Sequence, residues 1–353
     1  MSVPFSLSTG NEHYGKRTPQ GGMLANLLDI FPKTPDTWYC DTFSMPDFGT
    51  LKHWYTGTVI LYCWWDPADD RIIQHIDDMD LNFIIITSDP DLVPDHPRIK
   101  CVPWQYQYGY HMQLITNTGI YVDCEPKNFL CMMRNHKPER LAFLNGMRLN
   151  KLLQLGHVSY LGQVNTREVH GRAARPIREI LGMSQELDTN FGFSPGGEYR
   201  QWLKENLPLE LPGDTTQTFD NNTDFYTCGN PAWYDRTQYS IILETYWART
   251  KFLTEKSFKP IVAKHPFINL GNNSNWLLQQ LGFDTFTDVF GEIHDGKGAA
   301  EKIDSVIPKL KHKYEVDPLR CKNNYDVGMQ LLSKGQEEQK YLAEQVVNLY
   351  NTL

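Results

Sequence analysis

Several features that would place a protein in a broad class are missing from this sequence. No run of apolar residues approaches the roughly 20 residues that a membrane-spanning helix requires. The first residues lack a charged start followed by a long apolar run, which is the pattern of a secretory signal peptide. The seven cysteines are scattered and include no Cys-x-x-Cys pair, so the sequence favours reduced thiols over a disulfide framework or a zinc site. These absences predict a soluble, cytoplasmic protein.

An excess of basic residues is also missing. The chain has 34 lysines and arginines against 42 aspartates and glutamates, which gives a net charge of -8. As a whole it therefore lacks the positive charge that is typical of nucleic-acid-binding proteins. Its hydrophobic content of 41% and charged content of 22% are those of a globular protein with a full core. A length of 353 residues predicts two domains or one large domain.

Apolar runs that look like buried strands alternate with helical segments. Thr58–Cys63 and Phe83–Thr87 are continuous, β-branched and apolar, as strands covered on both faces are. A second series begins at Phe129–Met133 and continues at Val158–Leu161. Strands that alternate with helices indicate parallel sheets flanked by helices. The predicted fold class is therefore α/β.

The domain boundaries follow from the two series of strands. Residues 1–125 form one predicted Rossmann-like domain and residues 126–322 a second one. Residues 323–353 carry a long amphipathic pattern, which predicts a C-terminal helix that packs back on the domains. We expect the two domains to face a central cleft between the carboxyl ends of their strands, and ligands most often bind in clefts between domains.

The most polar stretch runs from Tyr239 to Gly271. An apolar run there ends at Glu244-Thr245, and Thr254-Glu255-Lys256 begins a helical segment. In an open α/β sheet, ligands bind beyond the carboxyl ends of the strands, where these residues would lie. An ordinary helix start explains Thr254 as the N-cap and Glu255 as an acid near the positive end of the helix dipole. It does not explain the additional charged and polar residues, which are Glu244, Lys256, Lys259 and His265.

A second candidate region follows the strand Phe129–Met133. The chain continues there as Arg134-Asn135-His136-Lys137-Pro138-Glu139-Arg140, and Pro138 suits the first turn of a helix. Basic side chains would then surround a helix N-terminus, where backbone N–H groups already favour an anion. Two arginines, Arg134 and Arg140, can hold a diphosphate through paired hydrogen bonds. Incidental cations at this end of a helix would oppose its dipole, so we prefer the anion-binding interpretation.

Three segments carry a resemblance to a known family. They are FLCMMRNHKPERLAFLNGM, SIILETYWARTKFLTEKSFKPIVAKHPFINLG and LLQQLGFDTF. Together they resemble GT-B-type glycosyltransferases and are distantly similar to the α1,3-fucosyltransferases, over about residues 128–295. In that family, an arginine-containing helix start and a Glu-Asn … Thr-Glu-Lys motif hold the nucleotide diphosphate and ribose. The Glu-Asn pair is Glu244-Thr245 in this chain, which leaves the donor undefined.

The resemblance implies a GT-B-like fold and the transfer of a sugar from a nucleotide-diphosphate sugar to an acceptor hydroxyl. The reaction would be inverting and would need no essential metal, although Mg²⁺ or Mn²⁺ could be present. Lys256, Arg134 and Arg140 would neutralise the departing diphosphate, with Lys256 and Arg134 closest to the chemistry. Glu244 would accept hydrogen bonds from ribose hydroxyls or a base edge.

The remaining donor contacts are also implied by the resemblance. Thr254 and the N–H groups of Glu255 and Lys256 would meet phosphate, and Glu255 would bind the ribose or the donor sugar. The implied donor-binding residues are Arg134, Arg140, Glu244, Thr245, Thr254, Glu255, Lys256 and Lys259.

The resemblance implies that residues 126–322 bind the nucleotide-sugar donor and that residues 1–125 form the acceptor side. An inverting transfer also needs a general base on the acceptor side, within hydrogen-bond reach of the acceptor hydroxyl. Asp66 is the first candidate, because it directly follows the buried strand Thr58–Cys63. Alternative candidates in the first domain are Glu12, His13, Asp41 and His111. For each of them alone, a role in an ordinary turn or cap is the simpler explanation.

Two alternative functions remain open at this point. Asp89-Pro90-Asp91 follows a buried strand, and an Asp-x-Asp triplet can hold Mg²⁺ or Mn²⁺ with a donor diphosphate. The triplet is short and also reads as an ordinary turn. The chain could also be a non-catalytic nucleotide-sugar-binding or carbohydrate-binding protein, because a fold does not define an activity.

The acceptor is the least defined part of the prediction. Arg167, Arg172, Arg175 and Arg178 form a local basic segment in an otherwise acidic chain, and such a segment can meet DNA phosphates. A solvated arginine face is the simpler explanation. The predicted acceptor is therefore a glycan, or alternatively a hydroxymethylated base in phage-type DNA.

Overall fold

A computed structural model describes most of the chain. The described residues are 37–41 (backbone only), 56–63, 72, 75–93, 95–115, 119–133, 137–160, 184–192, 196–207, 209–212, 227–244, 252–293 and 298–353. They form an α/β fold with two four-stranded parallel sheets, which confirms the predicted fold class. The chain divides into two compact units: unit 1 comprises Met1–Leu114 and Met329–Leu353, and unit 2 comprises Ile115–Gly328. The assignment of an acceptor side to one and a donor side to the other stays a prediction.

The sheet of unit 1 contains four parallel strands in the spatial order β1-β2-β3-β4. These strands are β1 (Thr37–Asp41), β2 (Gly57–Cys63), β3 (Leu81–Thr87) and β4 (Ile99–Pro103). Successive side chains of a strand point to opposite faces, and both Ile84 and Ile85 are fully buried in separate apolar clusters. The sheet is thus covered on both faces, which explains the continuous apolar runs in the sequence.

Short helical elements follow β2, β3 and β4. They are the 3₁₀ helices Ile76–Asp78, Pro90–Leu92 and Gln105–Gly109, and the α-helix α1 (Tyr110–Leu114).

The sheet of unit 2 has a different strand order, β6-β5-β7-β8, again with all strands parallel. These strands are β5 (Phe129–Met133), β6 (Gly156–Tyr160), β7 (Tyr239–Ile242) and β8 (Phe267–Asn269). From β5 the chain first crosses to β6 on one side, and it later returns to form β7 on the other side. The carboxyl ends of β5 and β7 therefore flank a topological switch point, the place where open α/β sheets bind ligands.

Eight described α-helices lie wholly within unit 2. They are α2 (Pro138–Leu149), α3 (Ser184–Phe191), α4 (Gly197–Asn206), α5 (Ala232–Asp235), α6 (Glu255–Val262), α7 (Ser274–Gln280), α8 (Thr287–Phe290) and α9 (Ala299–Val306), accompanied by the 3₁₀ helices Leu153–Leu155 and Ile307–Lys311.

The ends of helix α6 follow from local sequence signals. Thr254 is its N-cap, and the Thr254 side chain accepts a hydrogen bond from the backbone N–H of Lys256. At the other end, Lys264 adopts the left-handed conformation with φ of 54°. The N–H of His265 then donates to the carbonyl oxygen of Pro260 at 2.8 Å, which satisfies one of the last free carbonyls of the helix.

The long C-terminal helix α10 (Pro318–Tyr350) begins earlier than the predicted position 323. Its start is explained by Asp317, whose carboxylate accepts the N–H of Leu319 at 2.9 Å, and by a proline at the first helical position. Arg320, in the first turn, forms paired hydrogen bonds with Asp284 and further bonds with Asp288 in unit 2.

The later part of α10 belongs to unit 1. Leu332, Leu342 and Val346 pack in the apolar cluster that covers one face of the sheet. A side chain at Gly335 would place its Cβ 3.0 Å from the carbonyl oxygen of Tyr106, so glycine permits the close approach of the helix. Within the described part of the chain, no helix has both the length and the apolar character that crossing a bilayer demands.

Candidate functional site

Two segments predicted to carry a site meet at one edge of the unit 2 sheet. Strands β5 and β7 are parallel neighbours, so their carboxyl ends lie at the same edge. Helix α2 follows β5, and Glu244 follows β7 and contacts the N-cap of α6. The starts of both helices are therefore near the switch point. We refer to this place as the carboxyl edge of unit 2.

Glu244 is the centre of a buried hydrogen-bond network at the carboxyl edge. The residue is only 1% exposed. One carboxylate oxygen accepts the N–H of Thr254 at 3.1 Å and the hydroxyl of Ser257 at 2.5 Å. The other oxygen accepts the hydroxyl of Thr254 at 2.6 Å. The carboxylate therefore bridges the end of β7 and the first turn of α6.

The network continues to strand β8. The side-chain amide of Asn269 donates to the Ser257 hydroxyl oxygen at 2.7 Å, and its carbonyl oxygen accepts the N–H of Gly271 at 2.9 Å. A Cβ at Gly271 would lie 2.8 Å from the Cβ of Glu244 and 2.1 Å from the hydroxyl oxygen of Ser274. Only a glycine therefore leaves room for the Glu244 side chain at this point.

Arg140 places a positive charge beside the network. It is the third residue of α2 and is 3% exposed, and its guanidinium donates to the carbonyl oxygen of Leu243 at 3.5 Å. Burial lowers the pKa of Arg140, while the charges of Glu139, Glu244 and Glu255 act in the opposite direction. An arginine stays protonated under these conditions, so Arg140 compensates the buried carboxylates.

Glu255 and Lys256 form an ion pair at the start of α6. The Lys256 ammonium lies 2.8 Å from a carboxylate oxygen of Glu255 and donates to the Thr254 hydroxyl at 3.3 Å. The Lys256 side chain is 26% exposed, whereas the Glu255 side chain is 5% exposed. Lys259, one turn further along, is also partly exposed. Lys256 and Lys259 are thus the cations of this group that a ligand from solvent can reach.

The first turn of α6 makes hydrogen bonds within the protein, and its contact with phosphate stays a prediction. Thr254 and the N–H groups of Glu255 and Lys256 were expected to meet phosphate. In the structure, the N–H of Thr254 donates to Glu244, and the N–H of Lys256 donates to the Thr254 side chain at 3.4 Å. The Glu244 carboxylate therefore lies where an anion at the helix start was expected. The contact between Glu244 and ribose stays a prediction; in the structure, both carboxylate oxygens of Glu244 accept hydrogen bonds from within the protein.

The structure brings together five of the predicted site residues, which are Arg140, Glu244, Thr254, Glu255 and Lys256. His265 lies at the opposite edge of the sheet, where its Nδ1 accepts the hydroxyl of Ser240 at 3.0 Å. Only the backbone of Asp41 is described. The predicted residues outside the described ranges are Glu12, His13, Asp66, Arg134, His136, Arg167, Arg172, Arg175, Arg178 and Thr245.

Sequence reasoning missed three polar residues of the carboxyl edge, which are Ser257, Asn269 and Lys302. Lys302 is 1% exposed, and its ammonium donates to the carbonyl oxygen of Gly271 at 3.0 Å. A signal for it was present, because Lys302 lies on the apolar face of α9 beside Ile303. For Ser257 and Asn269, no local pattern marks the contact between them, since it depends on the packing of α6 on β8.

The two aspartates of the Asp-x-Asp triplet in unit 1 differ in burial. Asp89 is 2% exposed, and its N–H donates to the Thr87 hydroxyl oxygen at 3.1 Å. Asp91 is exposed within the 3₁₀ helix that follows β3. The two carboxylates thus do not share one environment, as ligands of one cation would. Among the residues that the structure describes, no three His, Cys, Asp or Glu side chains converge as metal ligands.

Buried polar side chains also gather at the carboxyl edge of the unit 1 sheet. The Ser88 hydroxyl and the Tyr108 hydroxyl are 2.6 Å apart, and Gln107 donates to the carbonyl oxygen of Cys63 at 3.4 Å. His111, an alternative candidate for the general base, is 1% exposed in helix α1. The described part of this edge is therefore polar, and its one buried carboxylate is that of Asp89.

Comparisons with known proteins add one finding. No protein-family model and no curated protein match the chain. A solved structure of a DNA-modifying β-glucosyltransferase, determined with and without its substrate uridine diphosphoglucose, matches 92% of this chain and 83% of its own, with a TM-score of 0.39 and 11% identity. Similarity at this level establishes neither a shared activity nor a shared ligand. The finer resemblance to the fucosyltransferases stays an interpretation of the sequence.

Proposed function

We propose that the chain is a glycosyltransferase that moves a sugar from a nucleotide-diphosphate sugar to an acceptor hydroxyl. The observation that carries the proposal is the group of charges at the carboxyl edge of unit 2. Arg140, Glu244 and Glu255 are buried there, beside the partly exposed Lys256. Buried charges are costly, and they concentrate where a site needs them. Their position at a topological switch point is the position of ligand sites in open α/β sheets.

The charges suit a departing diphosphate. In the proposed reaction, the acceptor oxygen bonds to the anomeric carbon while the bond from that carbon to the phosphate oxygen breaks. Negative charge develops on the diphosphate, and preorganised cations lower the barrier. Lys256 is proposed to contact the diphosphate through its partly exposed ammonium, whereas the buried Arg140 acts on it over a longer distance. Arg134 keeps its proposed role as the arginine that contacts the diphosphate.

The proton of the acceptor hydroxyl goes to a general base on the acceptor side, and Asp66 remains the proposed residue. Direct attack inverts the configuration of the anomeric carbon. Because protein cations supply the charge at the diphosphate, we propose that no metal is essential. The proposed acceptor is a glycan or a hydroxymethylated DNA base, and the basic segment with Arg172 and Arg175 would contact DNA in the second case.

A non-catalytic nucleotide-sugar-binding protein is the second candidate, because a charged edge of this kind can bind a diphosphate without turning it over. The two candidates differ in what happens to the sugar. Binding alone predicts stabilisation of the protein by nucleotide with no product, while transfer also predicts nucleoside diphosphate and a heavier acceptor.

The experiment has a binding arm and a transfer arm. Thermal unfolding is measured with UDP, GDP, ADP and CDP, with and without EDTA. The protein is then incubated with the matching nucleotide sugars and two acceptors, a glycan mixture and hydroxymethylcytosine DNA, and the products are identified by mass spectrometry. A mass increase of one acceptor establishes transfer. Stabilisation without any product favours the binding protein, and no stabilisation by any nucleotide contradicts both.

The DNA acceptor has its own test. If DNA is the acceptor, charge reversal at Arg172 and Arg175 should weaken DNA binding and flatten its dependence on salt concentration, because fewer counterions are released. Binding that is unchanged at all salt concentrations would contradict a DNA contact by this segment.

A further inference from the structure

Glu244 lies at the carboxyl edge, where the nucleotide-sugar donor is proposed to bind. Its two carboxylate oxygens accept hydrogen bonds from the Thr254 N–H, the Thr254 hydroxyl and the Ser257 hydroxyl. With 1% exposure, the residue offers almost no surface to a ligand. We propose that Glu244 is a positioning residue, which fixes the first turn of α6 so that Lys256 meets the diphosphate, and that it does not bind the nucleotide itself. This inference rests on the proposed function.

The electrostatics of the helix start support this role. The N-terminus of a helix carries a partial positive charge, and a carboxylate placed there stabilises it. Glu244 lies at the N-cap of α6, and the positive charge of Arg140 acts on it from the side of α2. The negative charge of Glu244 is thus compensated within the protein, without a ligand cation or a ligand hydroxyl.

The geometry defines what Glu244 positions. Thr254 is held through both its N–H and its hydroxyl, and the same hydroxyl oxygen lies 3.3 Å from the Lys256 ammonium. Ser257 joins the carboxylate to Asn269 at the end of β8. The first turn of α6 is therefore tied to two strands, and its connection to Lys256 passes through Thr254. Loss of the carboxylate would free this turn.

A direct ligand and a positioning residue make different predictions for nucleotides that differ only in the ribose. A carboxylate that binds ribose hydroxyls distinguishes a nucleoside diphosphate from its 2′,3′-dideoxy analogue, and its removal abolishes that distinction. A positioning residue affects every ligand that uses the diphosphate, whatever the sugar. Inorganic pyrophosphate extends the series, because it has no ribose at all.

The experiment measures the affinities of three probes for the full chain by calorimetry. The probes are the tightest-binding nucleoside diphosphate, its 2′,3′-dideoxy analogue and pyrophosphate. For Glu244→Gln, we expect all three affinities to fall by a similar factor of about ten, with an unchanged ratio between the ribose and dideoxyribose forms. Ser257→Ala removes one donor to the same carboxylate, and it should show the same pattern with a smaller factor. If Glu244→Gln does not fold, the Ser257→Ala variant distinguishes a positioning role of Glu244 from direct binding of the ribose.

A matched control separates positioning from a general loss of stability. His265→Gln alters a buried polar contact at the opposite edge of the same sheet, so it should lower stability and leave all three affinities unchanged in the folded protein. The inference is overturned if a Glu244 or Ser257 variant loses the distinction between the ribose forms but binds pyrophosphate normally. If the wild-type protein binds none of the probes, the proposed function fails and this inference fails with it.

Discussion

The two edges of the unit 2 sheet hold buried polar groups of opposite character. At the amino edge, His157 and His265 are buried and neutral. The Nε2 of His157 donates to the Glu125 carbonyl oxygen at 2.8 Å, and the Nε2 of His265 donates to the Thr237 carbonyl oxygen at 3.0 Å. Burial lowers the pKa of both, to about 4 for His265. The carboxyl edge instead buries the charges of Arg140, Glu244 and Glu255.

The difference indicates where the chain accepts an energetic cost. Burying a neutral histidine whose hydrogen bonds are satisfied costs little free energy. Burying a charge costs much more unless other charges compensate it. The buried charges lie at the carboxyl edge, beside the switch point, and the neutral histidines lie at the amino edge. Changes at the carboxyl edge should therefore affect ligand binding, whereas changes at the amino edge should affect stability alone.

The largest effect is expected at Arg140. Arg140→Met removes the buried positive charge that acts on Glu244 and Glu255, so the free energy of unfolding should fall by about 3–5 kcal/mol. Urea titration followed by circular dichroism measures it. Addition of Glu244→Gln should recover part of the loss, because the remaining charge imbalance is smaller. If the losses in free energy of unfolding of the two single variants simply add in the double variant, Arg140 does not compensate the charge of Glu244.

The next effect concerns Lys256. Lys256→Ala removes a partly exposed cation from the carboxyl edge, so the rate of sugar transfer should fall about 10²–10³-fold, as it does when one group that stabilises developing charge is lost. Thermal unfolding should show that the variant stays folded, because the positive charge of Arg140 still acts on the buried Glu255. Lys204→Ala, on the exposed face of α4, is the control. Transfer at a near wild-type rate would place the donor elsewhere.

The amino edge should respond to pH. The pKa of His265 is about 4 in the folded protein and about 6.5 when unfolded. The unfolded state therefore binds a proton first as the pH falls, and stability should be lost between about pH 6.5 and 4. The loss from this residue amounts to at most about 3 kcal/mol. Urea titrations across this range should show a shallower dependence for His265→Gln than for the wild type. Equal slopes would mean that His265 is not buried in its neutral form.

The smallest effect is expected in unit 1. Asp91→Ala should leave the transfer rate within about twofold of the wild type, and EDTA should not change it, because Asp91 is exposed while Asp89 is buried. The measurement is the initial rate with and without chelator. If both treatments abolish transfer, the metal-dependent alternative is favoured, and the charged edge of unit 2 is not the donor site.

Local signals allowed several elements to be predicted. The strand Phe129–Met133 was predicted with its observed bounds, because a short apolar run between polar residues leaves few alternatives. The start of α6 at Thr254-Glu255 was also predicted, since an N-cap threonine acts on residues that are adjacent in sequence. The gathering of Arg140, Glu244 and Lys256 could be anticipated from the rule that carboxyl ends of parallel strands share an edge.

The partners of these residues could not be predicted. Glu244 bonds to Ser257, and Ser257 to Asn269, across three elements whose packing has no signature in any one of them. The sequence alone determined the strands, the caps and the identities of the charged residues, because these depend on neighbours along the chain. Only the tertiary structure decided that Glu244 is turned towards the helix start and Lys256 towards solvent, because burial depends on which elements pack against each other.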